Sequence, residues 1–395
     1  MAKNIVLGIV HTHANRILHN ATEMYCQSIR SHGYDAMVAD IADPQWVWHL
    51  GERLKNGDVA FAFGIQGVGS RLESGDGTNL WTAARTPFLC LHHDNPCYNP
   101  SNHMNDSPFV ANFYFFPSFL EIKNRYLPSA QISALLPYEL LQIPQPATLP
   151  FADRPIRLLF LKTGATLEEP ERQLNGLIPR LRDAAFDQLR RACLDPNMQL
   201  GDLVQEIFDQ EKLDRTQHHK LFWGLAQVMD TWLRRKRALD FVAWLKFQDG
   251  AVIIGDGWDS IDRAGVRAEF RPSTTSWDTI NLYAQSQFIC NTNPYGGDIV
   301  HERILYGMAM GGCVISDGNS VLDQKFAAVP ALTRFNWRQT LAEQLSGVIG
   351  DVTAAAAASQ TGRQAVIAQF GPKNMVGMIV ESARQMTAAL EKLTA

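Results

Sequence analysis

The sequence predicts an α/β protein of two units, each a parallel sheet covered by helices. Three observations carry this. Short apolar runs alternate with helical stretches over the first 140 residues, residues 141–155 hold four prolines in LQIPQPATLPFADRP, and a second apolar run opens directly after them. A chain of 395 residues with 46% hydrophobic and 19% charged residues has enough apolar material for two cores.

In order, NIVLGIV reads as a first strand, 14–32 as a helix, YDAMVAD as a strand, 44–56 as a helix and DVAFAFG as a third strand. PFLCLHHDNP and ANFYFFPSF read as two more, each running into polar residues or proline. The prolines deny both helix and central strand, so 141–155 is read as a linker. The second unit opens with IRLLFLKTG and is interrupted by a helical insertion over about 168–247 before AVIIGDGW, FICNTN and CVISD resume the sheet. Helices are expected from about 337 onward. The predicted division is 1–145, 146–372 and a terminal helix 373–395 that packs back on the first unit. No solenoid-type repeat is present.

Composition narrows the function. A net charge of −4 gives no general attraction to nucleic acid or anionic lipid. No apolar run reaches the roughly 18 to 20 residues of a membrane span, and residues 5–10 are shorter than the roughly 7 to 15 residues of a signal-peptide core. A cytoplasmic protein that is not integral to a membrane is expected. Cys26, Cys90, Cys97, Cys193, Cys290 and Cys313 lack CxxC spacing and lie mostly in apolar segments, which predicts buried reduced thiols and no metal site.

Residues 291–317, NTNPYGGDIVHERILYGMAMGGCVISD, carry the strongest chemical signal. A glycine loop entering a helix presents backbone N–H groups to an anion, and Arg303 adds a cation that can fork onto phosphate oxygens. The predicted guest is phosphorylated. A surface ion pair for Glu302 and Arg303, and capping roles for Asp298 and His301, are the structural alternatives. By contrast FGIQGVGS, with Gly64, Gly67 and Gly69 spaced G-x-x-G-x-G, lacks the dinucleotide-binding order. The run Arg234 to Arg237 reads as the solvated face of a helix, with a part in binding an anionic acceptor as the alternative, and Trp223, Trp232 and Trp244 read as packing residues.

At the strand ends of the first unit, His92, His93, Asp94 and Asn95 follow FLCL, and His11, Thr12 and His13 follow NIVLGIV. Such positions face the ligand side of a parallel sheet. A general base for a hydroxyl belongs here, with a hydrogen-bonded loop cluster as the structural alternative. Two histidines two residues apart, with no third ligand in sight, do not make a metal site.

The two-unit order, the turn Gly255-Asp256-Gly257-Trp258 and the segment His301-Glu302-Arg303 through Met308-Ala309 and Gly311-Gly312 resemble the GT-B glycosyltransferases, and more narrowly the spore-maturation-protein-like branch of the group 1 enzymes. The resemblance covers about 100 residues, including VMDTWLRRKRALDFVAWL upstream of the turn; over the first half it is architectural. It implies two Rossmann-like domains facing a cleft, the second binding a nucleotide sugar and the first an acceptor. Implied donor-binding residues are Lys162, Gly255, Trp258, Asn293, Gly296, Gly297, His301, Glu302 and Arg303. Catalytic candidates are Asp298, His93 and Asp94, with His11, His13 and His92 on the acceptor side. Relatives carry two glutamates eight positions apart. Here Asp298 stands at the first and Tyr306 at the second, which implies Asp298 at the sugar and Glu302 or Tyr306 at the ribose. The implied activity is metal-independent, retaining transfer with the nucleotide sugar as co-substrate and no other cofactor. The acceptor, whether glycan, lipid-linked or protein, stays open. A nucleotide-sugar-binding protein and a GT-B-shaped epimerase or phosphorylase are the competing readings.

Overall fold

Two units divide the chain: Met1–Leu141 with Pro372–Ala395, and Gln142–Gly371. The computed structural model describes residues 4–12, 16–43, 45–127, 129–145, 147, 149–293 and 296–394.

Unit 1 is built on six strands: β1 (Ile5–Val10), β2 (Asp35–Asp40), β3 (Val59–Ile65), β4 (Phe88–His92), β5 (Val110–Tyr114) and β6 (Ser133–Leu135). They lie parallel in the order β2-β1-β3-β4-β5-β6. The apolar runs form strands because the sheet is covered on both faces, and every residue of β1, β4 and β5 is buried. The chain leaves β1 for β2 on one side and then crosses to β3 on the other. That reversal opens a crevice beyond the carboxyl ends of β1 and β3, where Thr12 and Gln66 lie.

The C-terminal helix Met375–Thr394 joins unit 1 and packs on helix Arg16–Arg30. Its N-terminus is capped from a distant segment: the Glu139 carboxylate accepts from the backbone N–H groups of Lys373 (2.9 Å), Asn374 (3.1 Å) and Met375 (3.1 Å). A carboxylate there satisfies orphan donors and meets the positive end of the helix dipole. Replacing Glu139 with Ala is expected to cost about 1 to 2 kcal/mol of stability. Urea unfolding with hydrogen exchange over residues 375–380 checks this, and unchanged exchange there would deny the cap its role.

Unit 2 repeats the plan with β7 (Ile156–Leu161), β8 (Ala251–Ile254), β9 (Glu269–Arg271), β10 (Ser286–Asn291), β11 (Cys313–Asp317) and β12 (Leu332–Phe335), all parallel in the order β12-β11-β10-β7-β8-β9. The expected insertion is four helices, Glu168–Asn175, Pro179–Leu194, Leu200–Gln210 and His219–Leu245. The last is packed on the sheet, with the Phe241 and Phe160 rings 5.1 Å apart. Because β7 is flanked by β8 on one side and β10 on the other, this sheet reverses between β7 and β10. The proline-rich stretch is anchored to unit 2: Arg154 donates to the carbonyls of Ser286 (2.8 Å) and Met310 (3.3 Å).

Strands β6, β9 and β12 were not expected. All three are sheet edges of three or four residues, too short for an apolar run to declare them. The six cysteines are free thiols, five of them buried. Among the described residues, no helix is long and apolar enough to cross a membrane, and no group of three or more His, Cys, Asp or Glu residues is placed to hold a metal.

Candidate active site

Unit 2 gathers its chemistry beyond the carboxyl ends of β7, β8, β10 and β11. Lys162 follows β7 directly, and the turn after β8 holds its loop in place. Trp258, 3% exposed, donates its indole N–H to the Lys162 carbonyl (2.9 Å), and Gly164 N–H donates to the Asp256 carbonyl (2.7 Å). The glycines are there for close backbone approach. A Cβ on Gly255 (φ +148°) would sit 2.2 Å from the Lys162 carbonyl oxygen, and one on Gly257 (φ +84°) 2.2 Å from that of Gly164. Gly255 and Trp258, expected at the donor, thus hold the backbone of Lys162 in place.

At the end of β10, Asn291 accepts from Arg303 Nη1 (2.9 Å) and donates to Asn293 Oδ1 (3.1 Å) and Ser316 Oγ (2.9 Å). Asn293 donates through its backbone to Asp317 Oδ1 (2.7 Å), and through its side chain to Ser316 Oγ (3.0 Å) and the Asp317 carbonyl (2.9 Å). Trp337 Nε1 donates to the other Asp317 oxygen (3.2 Å), and Arg237 Nη1 stands 3.7 Å from it. This buried network ties the loop after β10 to the end of β11 and holds Arg303 from behind. Asn293, 3% exposed, spends its polar groups inside it.

The glycines do not open the helix, contrary to expectation. Gly297 and Asp298 form a turn in an irregular segment pinned by Asn319 Nδ2 on the Ile299 carbonyl (2.8 Å) and by Ser320 Oγ on the Gly297 carbonyl (2.7 Å), and the helix is Glu302–Ala309. Its cap is His301, whose Nδ1 accepts from the Arg303 backbone N–H (3.2 Å). That bond places the proton of a neutral imidazole on Nε2. Asp298 is half-buried in the turn, Glu302 is exposed on the first helical turn, and Tyr306 lies one turn further on.

Positive charge accumulates here. The Lys162 ammonium is held well below its ordinary range, first by burial and then by Arg303 and Arg234, against the pull of Asp317 and Asp230. His301 is pushed down by burial and by the same three cations, so it is neutral. Burial raises the Asp317 carboxyl despite Arg237 beside it. The 234–237 run is therefore no solvated face: the Arg237 side chain is 2% exposed, and Arg234, at 29%, pairs with the buried Asp230 (3.2 Å). The spacing 230, 234, 237 places all three on one helical face, a signal a reading of the run as four like charges misses.

In unit 1 the expected cluster separates. His92 is fully buried as the last residue of β4, its Nε2 bonded to Asn112 Oδ1 (2.9 Å) and its ring stacked on His103 at 3.9 Å. It belongs to the core, since the strand runs one residue further than the polar boundary suggests, and burial lowers it to about 4. His93 stacks on Phe115 at 4.0 Å, shares a 3.2 Å hydrogen bond with Tyr25, and is lowered to about 3 by burial and by His92, which makes it a weak base at neutral pH. Asp94 is exposed and accepts from Gln66 Nε2 (2.9 Å); Gln66 itself has φ +57°. His11 is exposed just past β1, and His13 lies outside the described residues.

Residues 234–381 match the family described as glycosyl transferase-like. A comparison with curated proteins gave no match. Solved structures of similar fold include sucrose-phosphate synthase from Thermosynechococcus elongatus (11% identity, 98% of this chain and 100% of that chain, TM-score 0.53) and Anabaena HepE in complex with UDP-glucose (12%, 98% and 99%, TM-score 0.53). Two parallel six-stranded sheets with flanking helices give the chain the two-domain GT-B fold. The chain shares the fold of these structures, and its segment 234–381 is similar to the glycosyl transferase-like family.

Proposed function

We propose that the protein transfers a sugar from a nucleoside-diphosphate donor, with the diphosphate bound by unit 2 at the ends of β7 and β10. The convergence of Lys162 and Arg303 on the switch point of that sheet carries this reading, since a diphosphate is the leaving group whose charge such cations stabilise. His301, through Nε2–H, and Glu302 are the neighbouring polar contacts, and Asp298 is the carboxylate assigned to the sugar. Lys162 and Arg303 supply charge that a metal ion would otherwise supply, and the reaction is assigned as metal-independent. Asp94, with Gln66 orienting it, is the acceptor-side candidate in unit 1, together with His11. The narrower likeness to the spore-maturation-protein-like branch rests on the Gly255 to Trp258 turn and the His301 to Gly312 segment. Transfer is assigned as retaining, with the leaving phosphate taking the acceptor proton, and buried free thiols suit a cytoplasmic enzyme.

A thermal-shift panel of UDP, GDP, dTDP, CMP and ADP tests the donor reading, UDP being the first choice because Anabaena HepE was solved with UDP-glucose and with UDP. One diphosphate is expected to raise the melting temperature, and its sugar conjugates then to be hydrolysed or transferred. Indifference to all five would overturn the reading. An inverted anomer in the product would sink the retaining assignment alone.

A further inference from the structure

Helix His219–Leu245 is fixed to this rim at two points around Arg234. Arg235 Nη1 donates to the Thr166 carbonyl in the segment after β7 (3.1 Å), and Arg237 reaches Asp317 at the end of β11 while donating to the Ala192 carbonyl (3.0 Å). Arg234 lies on the same turn, half-buried, with Nε 3.2 Å from Asp230 Oδ2. Asp230 is 1% exposed and sits one turn earlier, so it orients the guanidinium along the helix. Arg237 is taken up by Asp317 behind the rim. The charges in front are Lys162, Arg234 and Arg303, with Glu302 exposed and Tyr283 beside Arg303.

We propose that Arg234 is a third phosphate-binding cation, placed for the negative charge that develops on the departing diphosphate. This rests on the donor reading above. In the transfer the bond from the sugar C1 to the β-phosphate oxygen breaks and its electron pair stays on that oxygen. The acceptor oxygen bonds to C1 and its proton passes to a phosphate oxygen. Once that proton is released, the diphosphate carries about one more negative charge than it did as a sugar ester. Two cations match the donor, and a third matches the leaving group. Arg235 on the Thr166 carbonyl, in the loop that follows Lys162, and Arg237 at Asp317 place the helical turn that carries Arg234 at the ends of β7 and β11.

Inorganic pyrophosphate tests this independently of the nucleotide base. Calorimetry on the full chain is expected to show that R234M weakens pyrophosphate about tenfold or more and R234K about threefold, with melting temperatures recorded to confirm folding. R234M binding pyrophosphate within about twofold of wild type would overturn the proposal. So would equal losses in R234M and R234K, which would mark a packing role rather than a charge. A wild-type protein that binds neither pyrophosphate nor any nucleoside diphosphate would instead overturn the donor reading, and this proposal with it.

Discussion

Replacing Arg303 with alanine is expected to lower kcat/KM for the nucleotide-sugar donor by about a hundredfold, since a charge-assisted contact to phosphate contributes roughly 1.5 to 3 kcal/mol and its loss is felt by both substrate and leaving group. The effect has a second component. Arg303 Nη1 satisfies the side-chain oxygen of Asn291, which is fully buried, so the variant leaves that acceptor without its charged donor. A fall in melting temperature should accompany the kinetic loss. Arg303→Lys separates the two components, because it keeps a cation near the phosphates without the planar fork that reaches Asn291. Steady-state kinetics and nucleotide calorimetry on both variants read this out. Unchanged nucleotide affinity in Arg303→Ala would remove Arg303 from the site.

The difference between what was legible in the sequence and what was not follows the distance over which each group is determined. Interior strands such as β1, β7 and β10 are apolar because both faces are covered, and that is a local property of a few residues. Edge strands β6 and β12 are half-exposed and short, so nothing local distinguishes them from loop. In the segment 291–317, Arg303 was legible as a candidate anion-binding cation, while its glycines belong to the turn before the helix. Its support was hidden, because Arg237 meets Asp317 across 80 positions and Asp317 reads locally as one more polar strand end. His92 and Asp94 show the same limit at a finer scale. Both follow FLCL, yet strand pairing carries His92 opposite Tyr114 into the core and leaves Asp94 outside. One residue of strand length decides which can meet a substrate.

The turn after β8 should show how far the site depends on backbone rather than side-chain chemistry. Gly255→Ala places a methyl group 2.2 Å from the Lys162 carbonyl oxygen at a φ of +148°, so the backbone of one loop must move. Strain of this kind costs about 1 to 3 kcal/mol before the clash is relieved, and roughly 2 to 4 °C of melting temperature follows each kcal/mol in a unit of this size. The expected result is a melting temperature lower by about 5 to 10 °C, with weakened nucleotide binding, whereas Gly75→Ala, where a Cβ meets nothing within 4 Å, changes neither. If the turn acts through Lys162, then Gly255→Ala and Lys162→Met cannot each remove the same binding energy twice. The double variant should then bind nucleotide about as weakly as Lys162→Met alone, a coupling that distant, independent sites do not show. Additive losses in that cycle would mean that the turn contacts the nucleotide itself, as the sequence led us to expect of Gly255 and Trp258.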